Sequence, residues 1–125
     1  MPISNYLANA VINAAVRNTA YTSPTTAYVA LFTTTNTPGT AGTELTGTGY
    51  SRQTVAFNAP SGGATASSGS VTFTAGANWT PVVSIAVMDA SSGGNVLWYK
   101  NITTQIVNSG QSITLTAGNI TLTVT

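Results

Sequence analysis

The stretch SITLTAGNITLTVT, residues 112–125, alternates apolar and polar side chains with one interruption. Ile113 and Leu115 fall on one side of a strand, Thr114 and Thr116 on the other. After a turn at Ala117–Asn119, Ile120, Leu122 and Val124 resume the pattern. A period of two over this length is that of antiparallel strands with one face buried. The spacing predicts a hairpin that closes the fold. Similar patterns recur upstream. YVALFTT (28–34) reads as a strand buried on both faces. RQTVAFN (52–58) sets Val55 and Phe57 on one side, and GSVTFTA (69–75) points Val71 and Phe73 inward and Thr72 and Thr74 outward.

IAVMDASSGGNVLWYKNI (85–102) is the stretch most open to a chemical reading, because it gathers Asp89, a glycine-rich loop, Trp98, Tyr99 and Lys100. Val82–Ala90 and Asn95–Ile102 are strand-like, and SSGG between them suits a hairpin loop of about four to five residues. Asp89 closes the first strand, where an aspartate commonly accepts hydrogen bonds from turn N–H groups. Trp98 and Tyr99 are strand neighbours and so point to opposite faces, which keeps them from lining one pocket. A calcium loop needs about six to eight oxygens, usually several of them from carboxylates, and Asp89 is alone. The residues favour a turn.

Ahead of the strands, Ser4 is placed to cap a helix over residues 3–17. Asn5, Asn9, Asn13 and Arg17 recur every four residues and make one narrow polar stripe. Tyr6, Leu7, Val11 and Ile12 leave most of the remaining circumference apolar. Such a helix is expected to be covered on more than one side, plugging the end of a sandwich, with additional contact to a neighbouring subunit as the alternative reading. Turn chemistry separates the strands, and residues 35–49 form the longest irregular stretch, of a length that is functional or pinned by a partner. About eight strands behind one helix indicate a mainly β fold, an antiparallel β-sandwich of jelly-roll type with one N-terminal α-helix. The expectation is one domain over residues 1–125, with strands and turns from 26 to 125.

Composition narrows the function. Charged residues make up 4% of the 125-residue chain, against about 25% in an ordinary soluble domain. They are Arg17, Glu44, Arg52, Asp89 and Lys100, for a net charge of +1, which gives no basic field to draw nucleic acid or an anionic membrane. There is no Cys and no His, so thiol chemistry, the commonest general base and the commonest metal ligands are missing. Glu44 and Asp89 are the sole acids, and nothing in the sequence ties one to the other as a hydrolytic pair. A serine nucleophile would have only Lys100 as its base, and no phosphate-binding, dinucleotide or nucleophile-elbow motif occurs. No catalytic residue, cofactor or metal is expected. No apolar run spans a bilayer, and the N-terminus lacks the positive region of a signal peptide, so the expectation is a chain folded inside the cell that makes it.

The blocks NYLANAVINAAVRNTAYTSPTTAYVALFTT, GTELTGTGYSRQTVAF, APSGG, GSVTF, DASSGGNVL and SGQSITLTAGNITLTV together resemble a family of small tailed-phage virion proteins often labelled tail fibre protein. The likeness spans nearly the whole chain. One departure is SIAVMD, where relatives tend to carry an aromatic-glycine pair before the aspartate. The resemblance implies a virion component made in the bacterial host cytoplasm, without enzymatic activity.

Two structural roles fit that implication. The chain has no heptads or repeats to build a shaft, which favours a capsid decoration or cement protein seated on the major capsid protein. The alternative is a tail fibre or other tail component, with a host glycan as a possible receptor ligand. Strands with so few edge charges stay soluble most easily when neighbours cover them, so a homo-oligomer such as a trimer is expected. The residues expected to make partner contacts are Asn5, Asn9, Asn13 and Arg17 on the helix, Glu44 in the long loop, and Trp79, which precedes Pro81 near a turn and is the tryptophan expected nearer the surface.

Overall fold

The computed structural model describes residues 1–124. A helix, α1 (Asn5–Val16), precedes eight strands: β1 (Ala27–Phe32), β2 (Gln53–Val55), β3 (Ala64–Ala66), β4 (Val71–Thr74), β5 (Val82–Met88), β6 (Val96–Gln105), β7 (Ser112–Leu115) and β8 (Thr121–Thr123). Four strands form an antiparallel sheet in the order β2-β1-β5-β6. The other four form two short ribbons, β3–β8 and β4–β7. The ribbons supply the second layer of a β-sandwich.

Residues 85–102 are a hairpin, with Ile85 opposite Lys100 and Val87 opposite Trp98. Asp89 takes hydrogen bonds from the Asn95 backbone N–H at 2.7 Å and from its side-chain amide at 3.1 Å. Gly94, at φ +73°, lies against that carboxylate so closely that a Cβ would collide with it. The acid therefore closes a turn.

The expected hairpin over residues 112–125 does not form. Its strands do not pair with each other: β7 returns to β4 and β8 returns to β3. Thr125, the last residue of the expected pair, lies outside the described residues. The reason is face matching. A direct hairpin across the three residues Ala117–Asn119 would set Leu115 opposite Thr121 and Ile113 opposite Thr123. Residues directly opposite share a face, so apolar side chains would meet threonines. Against β4 the faces agree, with Val71 opposite Leu115 and Phe73 opposite Ile113 inside. Outside, the hydroxyls of Thr72 and Thr114 lie 3.2 Å apart and those of Thr74 and Ser112 lie 2.9 Å apart.

The two ribbons are consecutive parts of one bent ribbon. Between β3 and β4, and between β8 and β7, both chains turn a corner built on the buried Ser67. Its backbone N–H donates to Ile120 O at 2.8 Å, and its Oγ accepts from Gly118 N at 3.2 Å and Ile120 N at 3.3 Å. Gly118 takes φ +86° there, a conformation that costs a side-chain-bearing residue. The pairs β5–β6, β4–β7 and β3–β8 are thus nested, as in a long hairpin wrapped on itself, which is the logic of a jelly roll.

The main core lies between the layers. Val29, Leu31 and Val87 from the four-stranded sheet meet Phe73, Ile120 and Leu122 from the ribbons. β1 is buried on both faces, as its sequence indicates, because Ala30 and Phe32 pack with Ala86, Met88 and Tyr99 in a second cluster on the outer side. Trp98 packs against the first cluster and Tyr99 belongs to the second. Ser4 caps α1 by accepting from Leu7 N at 3.2 Å, while its own N–H donates to Leu97 O at 2.9 Å. That pair of bonds joins the helix to the edge of β6.

Ser67→Ala leaves the N–H groups at the corner without their hydroxyl acceptor. It is expected to lower the unfolding free energy by about 1–3 kcal/mol in denaturant titration. Ser68→Ala, at the exposed neighbour, should change it by no more than about 0.5 kcal/mol. Equal effects would contradict the corner's role.

Candidate interaction surface

The expectation that α1 is covered on more than one side is not met within the chain. Only Leu7 is buried. Ile12 is 56% exposed and Val16 77% exposed, with Tyr6 and Val11 also open to solvent. Of the polar stripe, Asn5, Asn9 and Arg17 are exposed and Asn13 is half-buried. Asn5 N–H donates to Pro38 O at 2.8 Å, which ties the start of α1 to the long loop. At the other end Asn13 O accepts from both Arg17 and Thr19 N–H at 3.1 Å, with Asn18 at φ +51° turning the chain away.

The apolar face of the helix continues onto the strands. Ile3, Ala8, Val11 and Ile12 meet Val124 around a hollow of about 170 Å³. Val124 also borders a groove of about 410 Å³ whose walls include Phe57, Pro60, Ala64, Trp98 and Leu122. Trp98 Nε1 donates to Thr123 O at 2.9 Å, so the polar end of the indole is satisfied within the chain. A monomer rarely leaves a contiguous apolar surface like this one uncovered without a use for it.

Trp79 is not part of that surface. It is 5% exposed, its Nε1 donates to Thr48 O at 2.9 Å, and its ring meets Tyr50 edge-on at 6.0 Å. The placement near Pro81 suggested a surface residue because a turn follows. The long loop, however, folds over the indole and supplies its acceptor. Trp98 is the more open of the two tryptophans.

The loop itself is pinned inside the chain. Asn36, 1% exposed, donates from Nδ2 to Ser84 Oγ at 2.8 Å and accepts at Oδ1 from Gly42 N at 2.8 Å. The Asn101 side chain brackets the Asn36 backbone, accepting from its N–H and donating to its O at 3.1 Å each. Among the described residues no buried side-chain nitrogen or oxygen lacks a partner.

Glu44 and Asp89, the two acids, serve different turns. Glu44 is gripped by Arg52, with Nε on Oε2 at 2.8 Å and Nη2 on Oε1 at 2.8 Å, and by the Tyr50 hydroxyl at 2.6 Å. Arg52 Nη1 also donates to Ala90 O at 2.7 Å and Gly93 O at 2.8 Å, so one guanidinium joins the long loop to the β5–β6 turn. Burial works to raise the Glu44 pKa, but hydrogen bonds from Arg52 and Tyr50, aided by the Arg52 charge, bring it below its ordinary value. Burial and the bond to Glu44 push the Tyr50 phenol up. Both carboxylates are thus committed to holding loops, and among the described residues no three His, Cys, Asp or Glu side chains cluster to hold a metal.

A carboxylate with a lowered folded pKa adds stability above its unfolded pKa, and that stability is lost as pH falls through the folded value. Glu44→Gln is therefore expected to cost about 1.5–3 kcal/mol at neutral pH. The gap to the parent chain should narrow on acidification below about pH 4.3, the unfolded value for glutamate. Urea midpoints along a pH series measure this, and a gap that stays constant to the acid limit would exclude the mechanism.

No curated protein matches the chain. Residues 2–123 match the sequence model of a family described as Podophage GP4 fiber I protein gp80. With nearly the whole chain matched, the protein belongs to the podophage GP4 fiber I protein gp80 family, a family of phage virion structural proteins.

Proposed function

We propose that this protein is a non-enzymatic component of a phage tail fibre, held in the particle by apolar packing and neutral hydrogen bonds. The family match over residues 2–123 carries the reading. It favours the tail-fibre role over the capsid cement role that the absence of a shaft-forming repeat suggests. The lack of a shaft-forming repeat fits a compact unit within a fibre whose reach comes from other chains. Glu44 and Asp89 support the non-enzymatic reading, since each is occupied within a turn.

The partners are neighbouring tail proteins. With a net charge of +1, recognition depends on shape and burial more than on a long-range field, so attachment should vary little with salt. No described helix is long and apolar enough to cross a membrane. The contact surface is the open face of α1 and the adjoining groove beside Trp98.

Antibody raised against the purified protein is expected to label the tail region in electron micrographs and to block adsorption. Uniform labelling of the head would overturn the assignment. Ile12→Glu places a charge on the helix face without disturbing the core, so stability should move by no more than about 0.5 kcal/mol. Its incorporation into particles, measured by quantitative blotting, should fall by about tenfold or more. Full incorporation of a folded variant would remove α1 from the contact surface.

A further inference from the structure

We propose that the hollow between β6 and β7 is a binding site for a small organic acid, an apolar body carrying one carboxylate, with Lys100 as its anchor. This goes beyond the fibre assignment and does not depend on it.

The starting point is a charge on an unexpected face. In β6, Trp98 and Lys100 stand directly opposite Val87 and Ile85 of β5, in a run of pairs without a register shift. Residues directly opposite share a face of the sheet. Val87 and Ile85 both belong to the main core, so Lys100 stands on the side turned toward the second layer. Ile102, two positions on, also packs against that core. One lysine thus interrupts an apolar row on the inner side of a sandwich, where a charge is costly unless water or an anion meets it.

The cover is incomplete at this point. Between β6 and β7 lies a hollow of about 490 Å³, with Leu31, Ile85, Ile113 and Leu115 among its walls and Lys100 beside them. That volume falls in the range of about 300–1,000 Å³ usual for small-molecule sites. The lysine is exposed there.

The other polar groups of the rim are uncharged and partly engaged. Asn101 brackets the Asn36 backbone, and the Gln105 amide donates to the Thr103 carbonyl at 3.1 Å. Lys100 takes part in no salt bridge among the described residues, because Glu44 is held by Arg52 and Asp89 by Asn95. The charge that feels it is a second cation: burial and the Lys100 ammonium together lower the pKa of the Met1 amino group. Apolar walls beside an uncompensated positive charge complement hydrocarbon with one negative end. The body of such a ligand covers Leu31, Ile85 and Ile113, and its carboxylate accepts from Lys100 Nζ. A neutral apolar molecule leaves the cation without a partner, and a hydrophilic anion leaves the walls wet.

An inward-pointing lysine near an edge also discourages pairing with a foreign strand, and the experiment separates the two roles. The probe is octanoate at neutral pH, with 1-octanol as its uncharged counterpart and acetate as the anion without a body. Titrated into the full chain and followed by amide chemical shifts, octanoate is expected to move Lys100, Ile102, Ile113 and Leu115 saturably. Acetate at the same concentration should leave them in place. Lys100→Met should weaken octanoate by about fivefold and leave octanol within about twofold. Lys100→Gln removes the charge with a polar replacement, and it tests the site should the methionine variant fail to fold. Raising the salt should weaken octanoate and spare octanol. Octanoate shifts confined to the Trp98 groove, which has no cation in its walls, would overturn the proposal. So would a folded Lys100 variant that binds octanoate as the parent does. Self-association of that variant with unchanged octanoate affinity would assign the lysine to edge protection alone.

Discussion

The fold depends on one constraint: residues opposite each other in a sheet must agree on which face is wet. Phe73 opposite Ile113 and Thr72 opposite Thr114 satisfy it across a long sequence separation, and the nearer alternative does not. Once β7 is committed to β4, β8 is carried to β3, and the chain between them must turn the corner at Ser67. The sandwich, its core and its open edges all descend from that pairing. So does the cost of forming it, because long-range pairs close large loops before they return any stability.

Charge is spent on a second kind of closure. Arg52, its side chain 6% exposed, binds a carboxylate from the long loop and two carbonyls from the β5–β6 turn. A guanidinium suits this position because its planar fork presents several donors in fixed directions. Asn36 does similar work without charge, linking the loop to Ser84 and Asn101. These polar joints hold irregular backbone against the sandwich, where alternation of side chains provides no ladder. A loop that is long by ordinary standards is thereby ordered from within.

Much of this was readable in the sequence, and the limits have a physical cause. Alternation identifies strands and their inward residues, so Val71, Phe73, Ile120 and Leu122 were placed correctly. Tight turn chemistry identifies the β5–β6 hairpin, because Asp89 and the glycines leave little choice. Alternation does not name a strand's partner, and the β7–β8 reading failed for that reason. That Trp79 is the more buried of the two tryptophans was hidden likewise, since its cover is a loop tied down by Asn36 and Arg52. The helix told half its story: an almost uninterrupted apolar circumference was visible in residues 6–16, but the chain covers only Leu7. The rest of that circumference stays open to solvent within the chain.

That last point bears on how a protein with so few reactive groups can have a specific role. Specificity does not require charge. It requires that wrong neighbours leave polar groups dry and unpaired or apolar groups wet. The contact surface proposed for this chain would discriminate in the second of these ways. The open face of α1 and the Trp98 groove penalise any arrangement that leaves hydrocarbon in water. A virion part built from amides, hydroxyls and hydrocarbon can be selective on these terms, and salt would have little purchase on the proposed contact.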